Sequence, residues 1–308
     1  RFQLIKHKKF SNMKITSPIR FAIFIIILLI SELTIAQITD STNIKSTETD
    51  NNRILPFWSD WAKQQGIDLP LPFGIAANYI FMSRDVDVTD VTVQFLNQAP
   101  ESINDFASFA VRNNTSVAAV KFDAWILPLL NVYATVGYAS TIAKMNANIT
   151  IERSILPLPP VELDIETETK IADLYWGVGS TLVAGYKSWF IMADANYGST
   201  TPDELDNSIN FTFLSARSGF AGNLGQGNSM KAWLGAAYLF STTTLEITAP
   251  SGSSLGDVLV KIEQQPVNPW TFHSGFMISL NKRFDFMAEL GTNFKDASIA
   301  VLSSTFRF

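Results

Sequence analysis

The chain has 308 residues, of which 47% are hydrophobic and only 17% are charged, and its formal net charge is −5. Few charges and many apolar residues are typical of a protein whose outer surface meets lipid. The chain contains no cysteine, which excludes disulfides, lipid attachment through a thiol and thiol chemistry. Mild acidity without a basic patch argues against nucleic acid as a partner.

The first predicted element is a leader with a signal peptide, within residues 1–36. Lys14 and Arg20 supply a positive start, residues 21–30 form an apolar run, and Ala36 ends a small-residue cleavage site. An uncleaved single-pass anchor is the alternative interpretation. That alternative would need roughly 20 apolar residues, so the shorter run favours export and cleavage.

Residues 37–68 are predicted to form a periplasmic segment that ends in a short helix. Residues 37–52 are polar and have no hydrophobic period, which indicates a disordered leader. Ser59 can cap a helix and Gly66 can end it. We expect the segment 53–66 either to anchor at the inner membrane interface or to plug and gate the structure that follows.

From Phe73 to the end of the chain, apolar residues recur at every second position. Such alternation is the signature of strands with one apolar face. None of this region holds 18 consecutive apolar residues, so spanning helices are not predicted. The pattern predicts ten strands, which start at Phe73 and continue near 114–126, 129–140, 171–186, 188–198, 207–218, 229–241, 270–281, 284–292 and 297–308.

These strands predict an antiparallel up-and-down transmembrane β-barrel, because aromatic residues lie at their ends as membrane interfaces require. A periplasmic C-terminus makes the last strand run inward and every earlier strand alternate from it. Residues 127–128, Lys187 and 281–283 then become short periplasmic turns. The stretches 141–170 and 242–269 become long external loops, which is the asymmetry expected of such barrels.

The strand count depends on residues 84–113, where the alternation is weaker. If this stretch crosses the membrane twice, the barrel has twelve strands; if it forms an extracellular hairpin, the barrel has ten. Asp85, Asp87, Asp90 and Arg112 would lie close to lipid in the first case. We therefore predict ten strands and keep twelve as the alternative.

The inward-facing positions carry charged side chains that would line a lumen. Charges in a narrow lumen must pair or stay hydrated, because an unpaired buried charge costs several kcal/mol. They therefore predict either structural ion pairs or a path for a solute. The candidate residues are Lys121, Asp123, Asp194, Lys231, His273, Asp285 and Glu289.

His273 is the only histidine that follows the predicted leader, so any imidazole chemistry would have to use it. Asp194 and Ser279 are its candidate partners in a hydrolase at the outer rim. One histidine, no cysteine and no ligand cluster at a known spacing predict neither a metal site nor a cofactor. We expect no enzyme activity.

The leader, the alternating strands, the run Leu-Pro-Leu-Pro-Phe-Gly at 69–74 and the terminal Phe308 together resemble Gram-negative outer-membrane β-barrel proteins. The likeness covers roughly 73–308, and 69–308 is the predicted barrel. The resemblance implies a location in the outer membrane, with its lipid as surroundings. It also implies insertion by the barrel-assembly machinery, which would read Phe306 and Phe308.

Barrel width limits what such a protein does. Barrels of about 8 strands are filled by side chains, whereas open aqueous channels have about 16–18. We therefore expect a narrow channel for selective passive passage of a small solute of unknown identity. The alternatives are a non-conducting binding or structural barrel that acts through its extracellular loops and, third, a rim hydrolase that uses His273.

Overall fold

The structure, a computed structural model, describes seven ranges of the chain. The predicted leader at 1–36 and the polar stretch 37–52 lie outside the described residues and stay predictions. The described ranges contain one short helix, α1 (Ser59–Gln64), and thirteen strands. The seven described ranges are residues 54–64, 69–95, 99–102, 107–151, 161–202, 208–249 and 258–308.

Ten of the strands form the wall of a barrel, and each pairs antiparallel with the next. These are β1 (Phe73–Phe95), β3 (Ala107–Leu127), β4 (Leu130–Ile151), β5 (Val161–Tyr186), β6 (Trp189–Thr200), β7 (Ile209–Gly225), β8 (Asn228–Phe240), β11 (Trp270–Leu280), β12 (Phe284–Thr292) and β13 (Ala297–Arg307). Three shorter strands lie outside this ring: β2 (Glu101–Ser102), β9 (Thr243–Ala249) and β10 (Val258–Pro266).

Pairing between the first and last strands closes the barrel. β1 pairs with β13 from Gly74 opposite Arg307 to Arg84 opposite Ala297, and with β3 on its other edge. The terminal Phe308 completes the seam, because its N–H donates to the Phe73 carbonyl at 3.0 Å. The prediction of ten spanning strands rather than twelve is confirmed.

The turns also follow the predicted asymmetry. Tight connections join β3 to β4, β5 to β6 and β11 to β12 at the periplasmic end, as predicted. β7 continues to Gly225, past its predicted end at 218. At the opposite end β1 and β3 continue outward as one hairpin, which pairs as far as Val86 and Val111.

The external stretches 141–170 and 242–269, which were predicted as loops, contain strands. β4 runs to Ile151 and pairs with β5 from Val161. β9 and β10 form a hairpin, and β10 pairs with the outer part of β1 as far as Phe95. Backbone hydrogen bonds to a neighbouring strand sustain these extensions. Apolar residues alternate in these stretches as well, for example at Val161, Leu163 and Ile165, but the stretches lie beyond the length that a strand needs to cross the bilayer. A membrane-spanning pattern therefore predicts loops where the chain continues as strands.

The barrel wall has two chemically different faces. Its outer face is apolar between two aromatic belts. On β6 the belts are Trp189 and Tyr197, which bound a segment of nine residues. A tilted strand needs about that length to cross a bilayer. The periplasmic belt comprises Phe73, Trp189, Phe220, Phe284, Phe306 and Phe308, and the outer belt comprises Tyr138, Trp176, Tyr197, Phe240, Trp270 and Phe272.

The helix α1 is attached to the periplasmic rim. The Phe57 N–H donates to the carbonyl of Ile126, close to the end of β3, at 2.9 Å. Ala62 is buried, whereas Trp58 and Trp61 are 70% and 44% exposed. Exposed aromatic side chains at this rim favour the interfacial anchor over the plug. Among the described residues no helix is long and apolar enough to cross a membrane.

The outward direction of Val178 on β5 gives a direct test of the register. Val178 lies midway along the lipid-facing surface and is 49% exposed. Val178→Arg should destabilise the inserted barrel by about 2–4 kcal/mol, because the charge must leave water for hydrocarbon. Ser188→Arg, in the turn of the same hairpin, is the matched control and should insert normally. Equal yields of folded barrel for the two variants would show that the facing is wrong.

Candidate functional site: the barrel lumen

All seven candidate lumen residues occupy inward-facing positions. Each alternates along its strand with residues of the lipid-facing surface. Asp123, His273, Asp285 and Glu289 are buried, and Lys121, Asp194 and Lys231 are half-buried. The structure groups them into three polar clusters, which also include residues that the sequence pattern did not single out.

The first cluster surrounds Glu289, which is 3% exposed. Arg217 donates from Nε to Oε2 at 2.7 Å and from Nη2 to Oε1 at 2.9 Å. Trp233 Nε1 donates to Oε2 at 2.6 Å, and His273 Nδ1 lies 3.0 Å from Oε1. A bidentate arginine and two ring nitrogens offset the desolvation of the carboxylate. This cluster joins β7, β8, β11 and β12.

Within this cluster His273 also contacts a hydroxyl. Its Nε2 lies 2.8 Å from Thr271 Oγ1, so hydroxyl, imidazole and carboxylate follow one another as in a catalytic triad. However, Thr271 is only 1% exposed, and Arg217 holds the Glu289 carboxylate. The hydroxyl therefore has no access to a substrate carbonyl. Both ring nitrogens are engaged by Thr271 and Glu289, not by the sequence-derived partners Asp194 and Ser279.

The second cluster lies at the periplasmic end of the lumen around Arg307. Its Nε donates to Asp285 Oδ2 at 2.7 Å, and its Nη1 donates to Asp123 Oδ1 at 2.9 Å. Asn131 Nδ2 also donates to Asp123 Oδ1 at 2.8 Å. One arginine on the last strand thereby connects β12 and β3 across the seam of the barrel.

The third cluster surrounds Asp194 on β6. The Tyr133 hydroxyl lies 3.0 and 3.1 Å from its two carboxylate oxygens, and Thr181 Oγ1 donates at 2.6 Å. Asn196 adds a longer hydrogen bond at 3.3 Å. Lys121 Nζ lies 5.2 Å from the centroid of the Tyr133 ring, within the range of a cation–π interaction.

Each cluster contains a contact that crosses a glycine on the intervening strand, an arrangement that we call a glycine gap. Asp123, Gly74 and Arg307 are successive register partners on β3, β1 and β13. Tyr133 crosses Gly179 of β5, whose register partner on β6 is Asn196, and its hydroxyl reaches Asp194 two residues away. The third gap has Trp233, Gly275 and Glu289 as register partners on β8, β11 and β12.

The glycines are required at these positions by space. A Cβ atom closer than about 3 Å to another heavy atom forces something to move. A Cβ would lie 2.5 Å from Asp123 Oδ2 at Gly74, 2.5 Å from Tyr133 Oη at Gly179, and 2.6 Å from Trp233 Cζ2 at Gly275. Only a bare backbone lets these side chains lie flat on the wall and reach the second strand.

The lumen lining changes character along its length. The clusters around Arg307 and Asp194 lie toward the periplasmic ends of their strands, whereas His273 and Glu289 lie nearer the outer ends of β11 and β12. Apolar side chains also face inward toward the outer ends, beside the buried Arg84 and Asp173. Ile80 is in register with both Val117 and Val301, so these three form one apolar patch across β3, β1 and β13. Phe211, Phe213 and Leu239 line the facing wall on β7 and β8.

A closed ten-strand barrel, apolar outside between two aromatic belts and polar within, is the architecture of outer-membrane β-barrel proteins. The chain is such a protein, and the outer membrane is its location. The resemblance noted from the terminal strand and from the alternation is thereby confirmed.

No family model and no curated protein matches the sequence. Similar solved structures include the outer membrane protein OprG from Pseudomonas aeruginosa, at 11% identity and a TM-score of 0.39, covering 78% of this chain and 98% of that chain. The transport unit of the autotransporter AIDA-I from Escherichia coli has 9% identity and a TM-score of 0.36, and the match covers 90% of this chain and 96% of that chain. The Ralstonia pickettii toluene transporter TbuX has 11% identity and a TM-score of 0.31, and the match covers 78% of this chain and 90% of that chain. Such values assign the chain to no family and no function.

The glycine gap at Gly179 generates a specific prediction. Gly179→Ala should displace the Tyr133 ring and remove its hydrogen bond to Asp194, at a cost of about 1–3 kcal/mol. Urea unfolding of the detergent-solubilised barrel measures this change. Gly222→Ala is the control, because a Cβ at Gly222 meets nothing within 4 Å. Identical unfolding midpoints for the two variants would contradict the steric account.

Proposed function

We propose that this barrel is a narrow channel for selective passive passage of a small solute across the outer membrane. The observation that supports it most directly is that many inward side chains in the middle of the strands are half-buried. Asn78, Thr135, Met277 and Ser303 are examples. The sheet covers the outer side of such residues, so their remaining exposure is to space inside the lumen.

The arrangement of the charged groups supports the same proposal. In the glycine gaps the large polar side chains lie along the wall instead of projecting toward the axis. Glu289 is held by residues of the same side of the ring, and Asp194 by residues of its own and the two preceding strands. A ten-strand lumen with these side chains on its wall admits small solutes only, since wide aqueous pores need about 16–18 strands.

A second candidate function is a non-conducting barrel that binds or supports other structures through its external part. The extension of β4 and β5 beyond the membrane favours it, as does the docked β9–β10 hairpin. Arg84, which is 2% exposed, donates to the Asn268 carbonyl at 2.6 Å and fixes the chain that leaves this hairpin. An enzyme is the least supported function, because the Thr271 hydroxyl is buried.

Single-channel conductance in planar bilayers tests the channel proposal. Tyr133→Ala should increase the conductance, because it removes an inward ring from the lumen. Tyr138→Ala is the matched control, since Tyr138 lies on the same strand and points to lipid, with 56% exposed. A steady small current that increases only in the first variant is the expected result. No current from any of the three proteins would contradict the proposal and favour the non-conducting barrel.

A further inference from the structure

The carboxylates of the lumen already have donors. Asp285 accepts from Arg307, and Asp123 accepts from Arg307 and Asn131. Asp123 Oδ2 accepts no hydrogen bond from the described residues, but it is buried against the backbone of Gly74. Asp194 and Glu289 are each engaged by three side chains. Little acceptor capacity is therefore left for a cationic solute.

The two lumen lysines differ from these carboxylates. Neither the Lys121 nor the Lys231 amine donates a hydrogen bond or forms an ion pair with any residue in the described ranges. Lys121 Nζ lies over the Tyr133 ring, 5.2 Å from its centroid. Both side chains are half-buried and face inward. Each ammonium group carries three donors, so the unused hydrogen-bonding capacity of the charged part of the lumen is cationic.

The two lysines lie on opposite walls of the barrel. Lys121 is on β3 and Lys231 is on β8, with four wall strands between them in either direction round the ring. Asp285 attracts both ammonium groups and Arg307 repels both, and Asp123 and Asp194 attract Lys121 as well. Both amines therefore lie within electrostatic range of the Arg307 cluster, at the periplasmic end of the lumen.

We propose that Lys121 and Lys231 form a binding site for the carboxylate of a small, largely apolar solute. This inference rests on the proposed channel and specifies the class of solute that passes. The apolar lining near Ile80, Val117 and Val301 accepts the body of the molecule as it enters from outside. The two ammonium groups beyond that lining then receive its negative charge, because neither donates a hydrogen bond to a described residue.

Equilibrium binding of three probes to the full-length barrel in detergent tests this site. The probes are benzoate, its neutral isostere benzamide and the cation benzylammonium, followed by calorimetry. Benzoate should bind at least about tenfold more tightly than benzamide, because charge-assisted hydrogen bonds require the anion. Benzylammonium should bind most weakly. Equal affinities for benzoate and benzamide in the unmodified protein would overturn the proposal without any variant.

Variants locate the site. Lys121→Gln and Lys231→Gln should each reduce the benzoate preference several-fold, and Lys231→Arg should retain it. Lys187→Gln is the matched control, since Lys187 also lies over a tyrosine ring, at 5.4 Å from Tyr186, but in a periplasmic turn. A benzoate preference that survives both lumen glutamines would overturn the assignment to these lysines.

The proposed binding site and the proposed passage of solute can be refuted independently. Benzoate selectivity without any current supports the site and refutes passage, whereas a current without benzoate selectivity refutes the site and leaves the channel. Reversal potentials in a potassium chloride gradient add an independent measurement. They should shift toward cation selectivity in the Lys121→Gln Lys231→Gln double variant, and an unchanged value would count against the lysine pair.

Discussion

The space above three inward-facing glycines determines how this barrel holds the polar groups of its lumen. Asp123, Tyr133 and Trp233 each cross a glycine to reach a partner two strands away. A side chain in a β-sheet normally contacts its nearest strand neighbours. Because the intervening glycine has no Cβ, a side chain can lie across it and contact the second strand along. The buried carboxylates Asp123 and Glu289 thereby gain donors that their adjacent strands do not provide. Because breaking a buried pair is costly, these contacts also stabilise the closed ring.

The same arrangement has a consequence for the lumen. Polar side chains that lie flat on the wall hydrogen-bond to one another without crossing the barrel axis. The lumen therefore contains charged side chains without being filled by them. The amines of Lys121 and Lys231 differ from these groups, because neither donates a hydrogen bond to a residue in the described part of the chain. The lumen thus combines apolar inward side chains, carboxylates that accept hydrogen bonds from its wall and two ammonium groups that donate none, and this combination underlies the selectivity that we propose.

Much of the fold was predictable from local alternation, because lipid demands an apolar side chain at every second position of a spanning strand. Ten strands, the facing of Val178 and Tyr138, and the helix at Ser59 follow from that pattern or from capping residues.

The lumen clusters were only half predictable: inward positions can be read from the sequence, but partners cannot. Arg307 and Asp123 are 184 positions apart, and Arg217 and Glu289 are 72 apart. Gly179 looked like an unremarkable strand glycine, since its role depends on Tyr133 of the neighbouring strand. The external strands were missed because they continue beyond the length that a strand needs to cross the bilayer, where the membrane no longer sets the strand length.

A double-mutant cycle between Trp233 and Glu289 tests the central role of the glycine gap most directly. The coupling free energy between Trp233→Phe and Glu289→Gln would be measured by urea unfolding, first with Gly275 present and then with Gly275→Ala. The account predicts a coupling of about 1–3 kcal/mol in the first background, because the indole N–H donates to a buried carboxylate. It predicts that this coupling disappears in the second background, where the alanine Cβ displaces the indole ring. An equal coupling in both backgrounds would contradict the claim that the glycine makes the contact possible.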